Sequence, residues 1–128
     1  VNLDLVTIVV RDYDTAIDFF VRVLGLDLIE DSPSLTGSGR AKRWVVVRPA
    51  NATTGILLAR ADGETQESRV GDQAGDRVGF FLRVDDFNGT LERLKSEGID
   101  LLTTPREEPY GRVVVFRDIF GNRWDLLG

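Results

Sequence analysis

The chain has 128 residues, 42% hydrophobic and 29% charged, with a formal net charge of −5 and neither cysteine nor histidine. That length fits one domain or two small fused modules, and the composition is that of a folded globular chain, not a disordered one. Disulfides, thiolate metal sites and cysteine nucleophiles are excluded, and the commonest metal ligand and near-neutral general base are missing with histidine.

Leu3–Val10 is a β-branched run that reads as a buried strand. Arg11–Asp14 offers helix N-caps, and apolar residues at 16/17, 20 and 23/24 follow at helical spacing, closed by Gly25. Leu26–Glu30 reads as a short strand, Asp31–Ala41 as a mobile loop, and Arg43–Arg48 and Gly55–Arg60 as two further strands. Residues 1–60 thus form a β-α-β-β-β module. Residues 61–76 read as an acidic, solvated linker: Asp62 to Asp76 holds five acids against one base, Arg69, so most of the net charge belongs to one segment.

In residues 77–128 the same order returns. Arg77–Val84 reads as a strand, Asp86–Glu97 as a helix with Phe87, Leu91 and Leu94 on one face, and Ile99–Thr103 as a strand. A closing hairpin, Arg112–Arg117 and Arg123–Leu127, turns through Asp118–Asn122. The two halves superpose in sequence: Arg11 to Ile29 lies over Val84 to Leu102 at an offset of 73, and Arg48 to Leu58 over Arg117 to Leu127 at an offset of 69. No basic patch stands out to neutralise phosphates, so nucleic acid is not an expected partner. Apolar runs of about six residues are too short for a membrane span, there is no signal-peptide pattern at the start, and cytoplasm is the expected compartment.

The run from Val9 to Phe20 (VVRDYDTAIDFF) with Leu24-Gly25, the later Tyr110-Gly111 and Phe116–Asp118, and the ending Gly121–Leu126 (GNRWDL) resemble the vicinal oxygen chelate superfamily. That group includes glyoxalase I, extradiol dioxygenases, and fosfomycin- and bleomycin-resistance proteins. The resemblance implies an α+β fold of two tandem β-α-β-β-β modules forming a curled mixed sheet around a cavity, commonly as a homodimer. It also implies four metal-ligand positions in metal-dependent members. One lies on the first strand of each module, about seven residues before the Asp that opens the helix, and one on each last strand. Here those positions carry over to Leu5, Ile56, Val78 and Asp125. One carboxylate facing three aliphatic side chains cannot hold a first-row ion in that geometry, so no metal or other cofactor is expected at these four positions.

The two-residue strand period then predicts a cavity floor of Leu5 with Thr7 and Val9, Ile56 with Leu58 and Arg60, Val78 with Phe80 and Leu82, and Asp125 with Arg123 and Leu127. Trp44 and Tyr110 are aromatic candidates for its rim. Asp125 is either a ligand contact or a structural partner of Arg123, Arg60 or Arg112. Glu107 and Glu108 are either paired catalytic carboxylates or a solvated loop. The expected function is that of a metal-independent binding protein, similar to the bleomycin-resistance branch, sequestering a cationic or aromatic small molecule. The ligand contacts would be Leu5, Thr7, Trp44, Ile56, Arg60, Val78, Phe80, Tyr110, Arg123 and Asp125. The alternative is a lyase, isomerase or dioxygenase-type enzyme of the same superfamily, acting without the usual metal or with other metal ligands, with Asp125 as its acid-base group.

Overall fold

The structure is a computed structural model that describes all residues, 1–128. Two compact units divide it, Val1–Arg69 and Val70–Gly128, so the boundary falls inside the acidic segment.

In the first unit β1 (Leu5–Val10), β2 (Asp27–Leu35), β3 (Ala41–Arg48) and β4 (Gly55–Arg60) form a mixed sheet in the order β1-β4-β3-β2. The β1–β4 pair is parallel, with Thr7 opposite Leu57 and Ile8 opposite Leu58, and the other pairs are antiparallel. Helix α1 (Tyr13–Ile17) opens at Asp12, whose carboxylate accepts from the Thr15 backbone N (2.8 Å) and hydroxyl (2.6 Å). It continues as a π-helical stretch, Asp18–Val23. Ala16, Phe19, Phe20 and Val23 pack with Ile8, Val10, Val45, Val47 and Leu58 into the core of this unit. A short helix α2 (Glu64–Glu67) follows β4.

The second unit repeats the pattern. Strands β5 (Val78–Arg83), β6 (Arg106–Glu108), β7 (Gly111–Arg117) and β8 (Arg123–Leu127) take the order β5-β8-β7-β6, with β5 and β8 parallel. Helix α3 (Phe87–Ser96) is capped by Asp86, which accepts from Gly89 N at 3.0 Å, and buries Phe87, Thr90, Leu91 and Leu94. Phe80 stacks on Trp124 and Trp124 on Phe116, at centroid separations of 4.8 and 5.9 Å.

Three expectations change. Asp31–Ala41 is mostly strand: β2 runs to Leu35 and β3 starts at Ala41, leaving Thr36–Arg40 as the turn. Cross-strand pairing overrides the poor β-propensity of Ser and Pro there, and Pro33 is tolerated because β2 is an edge strand. Ile99–Thr103 contributes only an isolated bridge, Leu101 to Phe116, and the edge strand is instead β6, which includes Glu107 and Glu108. The acidic segment is no free linker. It holds α2, and Arg123 Nη1 donates to the Asp76 carbonyl.

The repeat is also less regular than its gapless alignment. The N-caps Asp12 and Asp86 are 74 apart, but the left-handed glycines that close the helices, Gly25 and Gly98, are 73 apart. The first helix therefore contains one extra residue, which the π-helical stretch absorbs. Between Arg48 and Gly55 the connection is also one residue longer than between Arg117 and Arg123. With offsets of 74 and 68, Thr7 opposite Leu57 maps onto Phe81 opposite Asp125, which is the observed pairing.

Candidate functional site

A slip of one residue turns a strand's side chains to the other face of its sheet, and this decides which candidates face an open surface. In β8, Trp124 and Leu126 are buried on the face that carries the aromatic stack, so Asp125 points the other way. Phe80, opposite Trp124, shares the packed face, while the bulge between Val78 and Phe80 leaves Val78 opposite Arg123, on the face of Asp125. Phe81, 64% exposed, is the residue opposite Asp125. In β4, Ile56 alternates with buried Leu58 and with Arg60, whose guanidinium lies 5.1 Å from the ring centroid of Tyr13 on α1. Ile56 is thus on the helix side, and Leu57 is the residue facing away. Leu5 keeps its expected face: a Cβ built on Gly55 would meet both Leu5 and Val46 at 3.2 Å. Thr7 lies two residues along from Leu5 on that face.

Counted from the actual helix caps, the four positions implied by the resemblance become Leu5, Leu57, Gly79 and Asp125. Three of these still lack a donor atom. No group of three or more His, Cys, Asp or Glu comes together in a way that could hold a metal ion.

Asp125 makes no ion pair. Arg123 is engaged with Asp76, Arg112 with Asn88 (2.6 Å) and Glu107 (3.4 Å), and Arg60 with Tyr13 and the Ala41 carbonyl (3.2 Å). Its Oδ1 is hidden from solvent with no hydrogen-bond partner. Desolvation pushes the carboxyl above its ordinary range, and Arg106, itself paired with Glu108 at 2.8 Å, only partly offsets this. Because the folded-state pKa is raised, Asp125 binds its proton more tightly folded than unfolded. Its ionised form therefore costs stability once pH rises through the unfolded and then the folded value. Asp125→Asn should thus stabilise the protein at pH 7 by about 1 kcal/mol, a modest figure because the residue is only partly buried. The gain should vanish near pH 3, where both states of the wild type hold the proton. Urea denaturation at the two pH values checks this, and an equal effect at both would show that charge burial is not the cause.

A pocket of about 520 Å³ lies wholly in the first unit. Its lining comes from α1 (Tyr13), the Thr36–Arg40 turn, β3 (Ala41 to Trp44), β4 (Leu57 to Arg60) and the segment beyond it (Ala61, Asp62, Gln66). Trp44, 37% exposed, gives it an aromatic surface, while Leu57 and Ala59 give it aliphatic ones. Of the sequence candidates the pocket takes in Trp44 and Arg60. Leu5, Thr7 and Ile56 lie in the same sheet outside its lining, and Val78, Phe80, Tyr110, Arg123 and Asp125 belong to the second unit. Tyr110 is an exposed residue of the two-residue turn between β6 and β7.

Sequence reasoning missed Tyr13, Arg40, Lys42, Asp62 and Gln66. The available signal was the cationic run Arg40-Ala-Lys42-Arg43 directly before Trp44. It fell at the edge of a segment read as a loop.

A family model described as the Glyoxalase/Bleomycin resistance protein/Dioxygenase superfamily matches residues 2–126. The chain belongs to this superfamily. It is 46% identical over 123 residues to an uncharacterized protein of Shewanella frigidimarina, covering 95% of this chain and 89% of that one. Among solved structures it is similar to UcmS2, with 29% identity and a TM-score of 0.77 over 99% of this chain and 97% of that one. It is also similar to TnmS3, described as an antibiotic binding protein from Streptomyces sp. CB03234, with 31% identity and a TM-score of 0.76 over 99% and 94%. The α+β architecture of two four-stranded mixed sheets is that of the superfamily's glyoxalase/bleomycin-resistance fold. No helix is long and apolar enough to cross a membrane.

Proposed function

We propose that this superfamily member is a small-molecule-binding protein that sequesters its ligand without metal chemistry. The observation that carries the reading is the first-unit pocket, with an aromatic wall at Trp44, aliphatic walls at Leu57 and Ala59, and polar groups converging on it. That is the usual make-up of a small-molecule site, and its volume suits a ligand of drug size. Likeness to a protein described as antibiotic-binding supports the reading. So does the loss of donor atoms at Leu5, Leu57 and Gly79, since sequestration needs affinity alone: a micromolar site corresponds to roughly −8 kcal/mol. Exposed Leu28, Ile29 and Leu35 on the edge strand β2 favour a homodimer as the working form, with cytoplasm as the expected compartment.

The test is calorimetry of metal-stripped protein against a panel of fused-ring aromatic compounds. Saturable one-to-one binding is expected, unchanged by chelator and weakened about tenfold or more in Trp44→Leu, with the compound recovered intact. Binding that needs added metal, or that ignores Trp44, contradicts the reading.

A second reading, an enzyme of the same superfamily, has one observation in its favour. Asp125 is a desolvated carboxyl with an unpartnered oxygen, as a general base tuned towards neutrality requires. It predicts conversion of a bound compound that Asp125→Asn abolishes.

A further inference from the structure

The first-unit pocket lies where two neighbouring strands part. β3 pairs with β2 from Asp27 opposite Arg48 to Leu35 opposite Ala41, but with β4 only where Val45, Val46 and Val47 meet Leu58, Leu57 and Ile56. On the β4 side, the N–H groups of Gly55 and Ala61 point to β1, donating to the Asp4 and Val10 carbonyls at 2.9 and 2.8 Å. Direction alternates along a strand, so the even-numbered N–H groups face β3, and the next ladder pair would be Arg43 with Arg60. The register stops short of it. The Arg43 N–H donates instead to the Tyr13 hydroxyl at 3.2 Å, and Arg60 Nη2 crosses to the Ala41 carbonyl at 3.2 Å. Side chains thus hold the opening where backbone would have met backbone.

Past this fork, Ser32 to Leu35 and Ala41 to Trp44 run on as a two-stranded ribbon closed by the Thr36–Arg40 turn. The turn is bonded within itself: Thr36 N donates to the Arg40 carbonyl (2.8 Å), Gly39 N to the Thr36 carbonyl (2.9 Å) and Arg40 N to Thr36 Oγ1 (3.0 Å). It also stands clear of its surroundings, since nothing lies within 4 Å of a Cβ built at Gly37 or Gly39. Both sides of the opening line the pocket, the ribbon through Gly37, Lys42 and Trp44, the far side through Ala59, Ala61 and Gln66. At the tip an ion pair spans the two. Arg40 Nη2 donates to both carboxylate oxygens of Asp62, whose own N–H is bonded to Gln66 Oε1 at 2.9 Å. A two-stranded ribbon beyond the edge of its sheet is only marginally stable alone, and an exposed ion pair is weak and screened by salt.

We infer that this ribbon is a flap over the pocket, hinged where β3 leaves β4 and latched by Arg40 and Asp62. Release of the latch widens the gap between ribbon and β4, the path by which a drug-sized molecule reaches Trp44. This rests on the small-molecule-binding reading for what passes the flap, whereas the motion itself is measurable without a ligand.

The chain has no cysteine, so Ala59→Cys puts a single thiol on the pocket wall across from the ribbon. Its modification is timed with N-(1-pyrenyl)maleimide, as large as a fused-ring ligand, and with methyl methanethiosulfonate, small enough to report the reactivity of the thiol alone. The ratio of the two rates isolates passage of the flap. Arg40→Gln and, separately, Asp62→Asn should raise that ratio about two- to fivefold, the range that an exposed ion pair supplies. High salt should raise it with the native pair present and not in Arg40→Gln. Leu57→Cys, two residues back on the same face of β4, repeats the measurement from a second thiol. A ratio that ignores both substitutions and salt overturns the flap, and saturable binding in calorimetry would then leave the binding reading standing on an open pocket. A ratio that responds, with no fused-ring compound bound in calorimetry, keeps the flap and overturns the binding reading.

Discussion

Asp118→Ala should cost at least about 3 kcal/mol of stability. Asp118 is 4% exposed and sits at the end of β7. Its Oδ1 accepts from the backbone N–H groups of Phe120 (2.9 Å), Gly121 (2.9 Å) and Asn122 (3.0 Å). Its Oδ2 accepts from Asn122 Nδ2 (3.1 Å) and from the indole N–H of Trp124 (2.9 Å). One carboxylate thus closes the β7–β8 turn and fixes the ring at the centre of the aromatic stack. Truncation leaves several of these donors buried without an acceptor, each at a cost of roughly 1–3 kcal/mol, though neighbouring losses do not add fully. Asp118→Asn keeps the shape but puts an N–H₂ where one oxygen accepted, so it should fall between wild type and Ala. Urea denaturation followed by Trp fluorescence measures both. A loss below about 1 kcal/mol for Ala would mean that the turn is held by its backbone alone.

This network shows where sequence reading stops. Asp118, Gly121 and Asn122 were legible as turn residues, because Asp, Gly and Asn each favour turns for local reasons. That Trp124 donates to the same carboxylate depends on side chains on one face of a folded hairpin, and composition does not report it. The same holds for the fold as a whole. Strand and helix order followed from β-branched runs and helical spacing, and the repeat of the two halves was visible in the sequence. The faces were harder. One extra residue in a π-helical stretch and one in the β3–β4 connection leave a string alignment looking gapless, yet each reverses which side of a strand faces the core. Hence the strand period alone puts Phe80 and Ile56 on the cavity floor, where Phe81 and Leu57 hold the equivalent positions in the sheets.

The pocket was half legible for a related reason. Trp44 and Arg60 stood out as an aromatic and a cation on strands. Tyr13 looks like a helix-opening residue in the sequence, and only the folded unit brings the Arg43 and Arg60 guanidiniums over its ring. Asp62 and Gln66 lay in a segment whose acidity suggested solvation. In the structure Gln66 Oε1 accepts from Asp62 N at 2.9 Å, and Asp62 pairs with Arg40, so the start of that segment forms a pocket wall.

The far end of the same segment is anchored too, in the second unit, and a single methyl group tests it. Gly71 has φ +74, and a Cβ built there would stand 1.9 Å from the carbonyl oxygen of Phe120 and 2.7 Å from its carbon. That carbonyl belongs to the turn Asp118 closes, so it has little freedom to retreat. Gly71→Ala combines left-handed backbone strain of about 1–2 kcal/mol with a backbone clash, and should cost about 3 kcal/mol or more in total. Gly75, in the same segment, is the control: φ is +63 and nothing lies within 4 Å of its added Cβ. Gly75→Ala should cost only the backbone strain. If urea denaturation shows the two variants equally stable, residues 70–76 are not docked on the turn. The acidic segment would then be the solvated linker that its composition suggests. If Gly71→Ala alone is strongly destabilised, close backbone approach is the constraint at Gly71, and the acids around it ride on an ordered element.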